Sequence, residues 1–430
     1  MTVTPFRFVH ATCLSLDEPL AGLGMGLQGE ERHLAEDATL IAWERILDIS
    51  IDAQAELLLL TGNTFLSTSG SLRARVALER GFRRLDDAGI RVCIVPGPGD
   101  PAAVWERDFQ LPPNVDLLED ESAETVLIER NGQTLASVRV IASARSDEAG
   151  WSAQGPAAFD AVRAPWHIGL VPAGTPIEWQ QQQPVALDRP DVSRAAATLV
   201  KTAMEAGCNY LALGEGVRST YAYRGGIAHD PGPVQSLGQH LTGPCGVSIV
   251  DVLPTGEVRI APSTVAPVRW ETMVVDVDAD TTSDELAERM ALTLLEREPD
   301  SDDEMWIVLW KLRGQNAALN DLSEPRRLRE LWKRIEAEME GDQTLRRVHR
   351  LIREPRWDQL QMASEETLGR GFVDMLEADG AALLDTVRQE LLSQDWNSPA
   401  HRRLLIHLME ETPSAEVLAE ARAAGLMWLA

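Results

Sequence analysis

Four leucines in a row, Leu57-Leu58-Leu59-Leu60, followed by Thr61, predict a strand that is apolar on both faces, as in a parallel sheet covered on each side. The run stops at Gly62-Asn63-Thr64-Phe65, a turn that lifts Asn63 to the carboxyl edge of the sheet. Val92-Cys93-Ile94-Val95 predicts a second such strand, ending in Pro96-Gly97-Pro98-Gly99-Asp100. Between them, Ser71 to Gly89 reads as a helix with Val76, Leu78, Phe82 and Leu85 on one face, which completes a βαβ unit. In open α/β sheets ligands bind at the carboxyl edge, so these loops are the candidate site. Upstream, Phe6 to Thr12 is a strand opening into Cys13-Leu14-Ser15-Leu16-Asp17. Residues Glu30 to Ala55 carry Leu34, Leu40, Ile41, Trp43, Ile46 and Leu47 at helical spacing.

After Pro112 the pattern changes to short strands at Thr125 to Ile128, Val138 to Ile141 and His167 to Val171, with Asn131-Gly132 as a hairpin turn. Asp191 to Ala206 is a helix, and Tyr210 to Leu213 a strand ending in Gly214-Glu215-Gly216-Val217. Strands near Tyr221 to Tyr223 and Val247 to Leu253 follow, which predicts two sheets with helices outside them. Near Pro262 to Pro267 the composition shifts to a small αβ module: a strand at Trp270 to Val277, helices at Ser283 to Arg297 and Glu324 to Glu340, and a strand at Met305 to Leu312. From Thr344 onward the chain reads as wholly helical. The expected domains are therefore 1–264, 265–340 and 341–430.

Composition narrows the function more than the fold. The net charge of −27 over 430 residues disfavours autonomous binding to nucleic acid, whose phosphates need Lys and Arg, and leaves weak or partner-dependent binding. No apolar run reaches the roughly 20 residues of a membrane span, and the N-terminus lacks the shape of a signal peptide. Cys13, Cys93, Cys208 and Cys245 have no zinc-site spacing and are expected to be reduced, in a cytoplasmic protein. Gly22, Gly24 and Gly26 follow a strand but lack the spacing of a dinucleotide fingerprint. The chain has no phosphate-loop lysine motif, no Gly-x-Ser-x-Gly elbow and no His-Glu-x-x-His.

Several segments, in this order, resemble the calcineurin-like metallophosphoesterases, and within them the SbcD/YhaO-type DNA repair exonuclease subunits. They are Phe8-Val9-His10-Ala11-Thr12, Leu57 to Phe65, Gly89 to Gly97, Asn209 to Gly214, and Ile307-Val308-Leu309-Trp310-Lys311-Leu312-Arg313-Gly314. The resemblance covers roughly the first 320 residues. It implies a four-layer α/β/β/α sandwich with an αβ capping domain and a helical C-terminal domain. It also implies a two-metal centre for phosphodiester cleavage and a partner of the SMC-like ABC ATPase kind.

At every ligand position the resemblance supplies, this chain has another residue. Cys13 and Ser15 stand for the Asp and His of the first loop, Asn63 for the bridging Asp, Pro98 and Gly99 for Asn-His, Pro172 for a His, and Glu215 and Val217 for the last two His. The expectation is a catalytically inactive homologue with no metal, acting as a structural or regulatory subunit in DNA repair or defence. The alternative is an active phosphodiesterase or exonuclease with two manganese ions in a rewired site built from Asp17, Asp100 and Glu215, with Cys13 as a fourth ligand. A third reading is a homodimer binding an unrelated ligand. His10 and His167 read as packed core histidines, and His229-Asp230 as a loop pair. Arg326 to Ile335 and Arg346 to Ile352 read as basic amphipathic stretches that dock on the partner or pack on their own domain.

Overall fold

The computed structural model describes residues 3–21, 23, 27, 29–119, 125–141, 159, 164–173, 185–186, 194–314, 319, 322, 324–339, 345–354, 367–393, 405–406, 409 and 414–429. Three of the glycines singled out above, Gly22, Gly24 and Gly26, lie outside these residues. The chain is mixed α/β and divides into two compact units, Met1–Arg269 with Asp300–Met305, and Trp270–Pro299 with Trp306–Ala430.

The first unit is built on two sheets. One has six strands: β1 (Phe6–Thr12), β2 (Leu57–Thr61), β3 (Arg91–Val95), β4 (Val115–Leu117), β12 (Gly246–Val252) and β13 (Val258–Thr264), in the order β13-β12-β1-β2-β3-β4. Strands β1 to β4 are parallel, with Leu57 to Thr61 paired to Phe8 to Thr12 on one side and Arg91 to Val95 on the other. The other sheet has seven strands: β5 (Val126–Arg130), β6 (Gln133–Val140), β7 (His167–Leu170), β8 (Val185–Ala186), β9 (Tyr210–Ala212), β10 (Ser219–Tyr223) and β11 (Gly226–Asp230), in the order β5-β6-β7-β9-β11-β10-β8. Asn131 and Gly132 both have positive φ (54° and 77°), the conformation a two-residue hairpin turn between β5 and β6 requires.

The leucine run divides by parity, because successive side chains of a strand point to opposite faces. Leu58 and Leu60 join Trp43 and Ile46 of α1 (Gly29–Asp52), Leu78, Phe82 and Leu85 of α2 (Leu72–Asp87), and Trp105 of α3 (Ala102–Asp108) in one core. Leu57 and Leu59 join Val138, Ile168, Leu170 and Tyr210 of the seven-stranded sheet in another. All four leucines are fully buried, each worth about 1.5–3 kcal/mol. Helix α4 (Arg194–Glu205) packs Leu199, Val200 and Ala203 on the far side of the seven-stranded sheet, against Leu211 and Tyr221. Val76, expected on the apolar face of α2, is 55% exposed. It lies two residues from Leu78, which is about 200° around a helix, so it faces away.

The second unit has a three-stranded sheet of β14 (Val268–Asp276), β15 (Met305–Arg313) and β16 (Arg346–Glu354), with β15 in the middle. Helix α5 (Ser283–Leu295) starts at a capping box between Thr282 and Glu285. With α6 (Pro325–Glu338) it buries Leu286, Met290, Leu331 and Ile335 against Trp306, Trp310 and Met273. Strand β16 corrects the expectation that everything after Thr344 is helical. Arg346, Arg347, Arg350 and Arg353 recur every three or four residues, a spacing that imitates a helix, yet the segment is a strand. Arg347 and His349 reach Glu336 of α6, at 3.5 and 2.7 Å, and the indole of Trp310 donates to His349 at 3.0 Å. This stretch packs on its own unit, and so does the apolar side of α6. Helices α7 (Thr367–Ser393) and α8 (Ser414–Leu429) pack on one another. Among the described residues no helix is long and apolar enough to cross a membrane.

Candidate functional site

The loops that follow β1, β2, β3, β7, β9 and β11 gather at the carboxyl edge of the two sheets. The first is strained: Cys13, Ser15 and Asp17 have positive φ of 50°, 46° and 59°, each costing about 1–2 kcal/mol for a residue with a Cβ. Backbone bonds hold it there by extending the β1–β2 pairing beyond the strands. Cys13 N donates to Thr61 O (3.0 Å), Ser15 N to Asn63 O (3.1 Å) and Leu16 N to Thr64 O (2.9 Å).

The loops after β2 and β3 meet through Asn63. Its Oδ1 accepts from Gly99 N at 2.8 Å. A Cβ at residue 97 would stand 2.3 Å from that oxygen and one at residue 99 3.0 Å from it, so both glycines are needed for the amide to fit. Asp100 makes a second tie. Its carboxylate accepts from Gly97 N (2.8 Å), Thr64 N (3.0 Å) and the Trp105 indole (3.2 Å). Burial pushes its carboxyl up to about 7, opposed by these donors.

Cys13 closes the other side. Its Sγ lies where a Cβ on Gly62 or on Gly216 would fall, 2.9 Å away in each case, and the Gly62 position is also 2.5 Å from Gly214 O. Burial, with Asp230 nearby, raises the thiol far above its ordinary range and keeps it protonated. Asp230, at the end of β11, accepts from Glu215 N and Gly216 N (3.0 Å each) and from Gly232 N (2.8 Å), and burial lifts it to about 7. His229 and Asp230 are thus buried strand residues and not a loop pair. Asp-Pro-Gly at residues 230–232 was the available sequence signal, an acid set to accept from the backbone two residues on.

Beneath the loops lies a neutral polar layer between the sheets. Thr61 Oγ1 donates to Leu213 O at 2.9 Å. The 2.9 Å contact between His10 Nε2 and Thr61 therefore has the ring donating, and His10 Nδ1 accepts from the Tyr210 hydroxyl at 3.0 Å. Burial, then the neighbouring His229, holds His10 well below the usual histidine value. His10 is a satisfied core histidine. His167, also buried, is paired with Ser137 at 2.7 Å.

Of the remaining positions, Pro98 and Val217 are exposed, Pro172 is buried, and none of the three offers a side-chain donor atom. Asp17 is turned to the start of α2, where it accepts from Ser71 Oγ and faces Arg73 at 3.4 Å. Asp100 is committed to the loops after β2 and β3 and to α3, and with Asp17 and Glu215 it forms no metal-binding group among the described residues. Among the described residues no three His, Cys, Asp or Glu side chains converge as a metal-binding group.

A two-manganese centre needs anionic and imidazole donors that bridge the ions. The residues present do not fit one. Asn63 is neutral and its oxygen is committed to Gly99, the Cys13 thiol is protonated, and Asp100 and Asp230 each accept from three N–H groups. What the arrangement does chemically is fasten loops to one another.

No family model matches the chain. It is 26% identical over 291 residues to the uncharacterized metallophosphoesterase YhaO of Bacillus subtilis (strain 168), a match covering 64% of this chain and 64% of that protein. This likeness supports the metallophosphoesterase superfamily, at the level of the superfamily as a whole. Among solved structures, the TT1561 protein of Thermus thermophilus is 14% identical, with a TM-score of 0.33 over 60% of this chain and 99% of that one, a likeness too slight to bear on the fold.

Proposed function

We propose that this chain is a metallophosphoesterase homologue whose metal centre has been replaced by loop-to-loop packing. On this reading it is a structural or regulatory subunit, not a nuclease. The observation that carries the reading is the use made of Asn63. At the position of the bridging carboxylate an amide holds Gly99, and glycines at 97 and 99 leave room for it. On this reading residues 1–264 are a four-layer α/β/β/α sandwich, residues 265–340 an αβ cap and residues 341–430 a C-terminal domain, which the strand β16 makes not wholly helical.

The partner that the resemblance suggests is an SMC-like ABC ATPase acting in DNA repair or defence. A net charge of −27 supports a division of labour in which the partner holds the nucleic acid. The test is affinity capture of the tagged full-length chain from its native host, combined with a phosphodiesterase assay. The expected result is recovery of an ATPase with long coiled coils and no cleavage of bis(p-nitrophenyl) phosphate, by the native chain or by Asn63→Asp. Recovery without any ATPase sinks the partnership, and manganese-dependent cleavage by the native chain sinks the loss of catalysis.

A further inference from the structure

The two sheets of the first unit do not fill the space between them evenly. On β12, Val250 and Val252 close the core against the seven-stranded sheet. By strand alternation Gly246 and Ser248 share that face, and there a slot of about 530 Å³ remains, with Thr220 and His229 across from them. Small-molecule sites run from about 300 to 1,000 Å³. Pro231, Pro244 and Pro262 line it as flat, rigid walls. None of its lining residues is one of the former ligand positions.

The polar groups at its inner end define what fits. His229 Nδ1 is 2.8 Å from the Thr220 hydroxyl and Nε2 is 2.8 Å from the Ser248 hydroxyl. Burial lowers the imidazole to about 4, so the ring is neutral, with one donor and one acceptor nitrogen. One hydroxyl must donate to the ring and the other must accept from it. The hydroxyl that accepts keeps its own O–H for a further partner, and both keep acceptor lone pairs. The inner end thus presents a donor beside acceptors, with no charge. Arg218, which also lines the slot, gives N–H groups to the Pro231 and Pro244 carbonyls (3.2 and 2.6 Å), and Asp300 lines it too. That balance disfavours an anionic ligand.

We infer that this slot binds a neutral, flat heterocyclic molecule of the nucleoside class, its ring between the proline walls and its donor and acceptor groups on Thr220 and Ser248. The test is calorimetric titration of the full chain with adenosine, guanosine, cytidine and uridine, and with AMP for comparison, at up to about 5 mM. The expected result is saturable binding of at least one nucleoside, tighter than AMP. Thr220→Val and Ser248→Val should each weaken it about tenfold, the loss of one hydrogen bond. Thr220→Ser, which keeps the hydroxyl, and Asn63→Asp, outside the slot, should leave it within about twofold. Absence of saturable binding of all four nucleosides to the native chain overturns the inference, whatever the variants do. Tighter binding of AMP, or undiminished binding by both folded valine variants, overturns it as well.

Discussion

Asp100→Ala should destabilise the chain by at least about 3 kcal/mol at about pH 4, as three buried N–H donors lose their acceptor at about 1–3 kcal/mol each. Those donors are the backbone of Gly97 and Thr64 and the indole of Trp105, so the substitution unfastens the β2 and β3 loops from each other and from α3. The penalty should depend on pH in a defined direction. The carboxyl is raised to about 7 in the folded chain from an ordinary 3.8. A raised pKa contributes stability that is fully present below 3.8 and is lost as pH rises through about 7. The gap between native and variant urea midpoints should therefore narrow from about pH 4 to about pH 7 and level off above it, by at most about 1.4 kcal/mol per pH unit. Urea titrations across that range check both statements. A penalty below about 1 kcal/mol at about pH 4, or a gap that widens with pH, contradicts the assignment of Asp100 as a loop clamp.

Gly62→Ala should cost about 2–5 kcal/mol, the sum of a left-handed backbone penalty and of overpacking. Gly62 has φ +78°, and its added Cβ would lie 2.5 Å from Gly214 O and 2.9 Å from Cys13 Sγ. The carbonyl is backbone and belongs to the loop after β9, so relief requires the edges of the two sheets to move apart. Gly70 provides the internal control. Its φ is +60°, yet a Cβ there meets nothing within 4 Å. Gly70→Ala should therefore show the backbone part alone, about 1–2 kcal/mol. Thermal or urea unfolding of the two variants side by side separates the contributions. Equal costs would mean that the loops are not packed as described.

The mixed α/β character was legible because buried parallel strands leave a strong pattern. Leu57 to Leu60 and Val92 to Val95 are apolar on both faces, and both become strands with a core on either side. At the positions the resemblance marks, the residue types were legible, but not the packing they make. Pro98 and Gly99 read only as residues without donors. That Gly97 and Gly99 make room for the Asn63 amide depends on a contact between loops 36 residues apart. The role of Asp230 was missed for a similar reason, since its donors at Glu215 and Gly216 come from a different loop. Strand β16 was misread because Arg346 to Glu354 is rich in long basic side chains, which suit a helix as well as a half-buried strand. Its pairing beside β15 in the three-stranded sheet reveals which one it is.

If contacts between loops have taken the place of a two-metal centre, the protein should ignore manganese. Electron paramagnetic resonance reads this out when Mn(II) is titrated into the purified native chain and into Asn63→Asp. The signal of the free aqueous ion should grow in proportion to added metal for both proteins, because restoring one carboxylate leaves Cys13, Pro98, Gly99, Pro172 and Val217 as they are. Loss of the free-ion signal up to about two equivalents of metal in the native chain, the stoichiometry of a two-metal site, would show that the centre persists and that the loops have not replaced it.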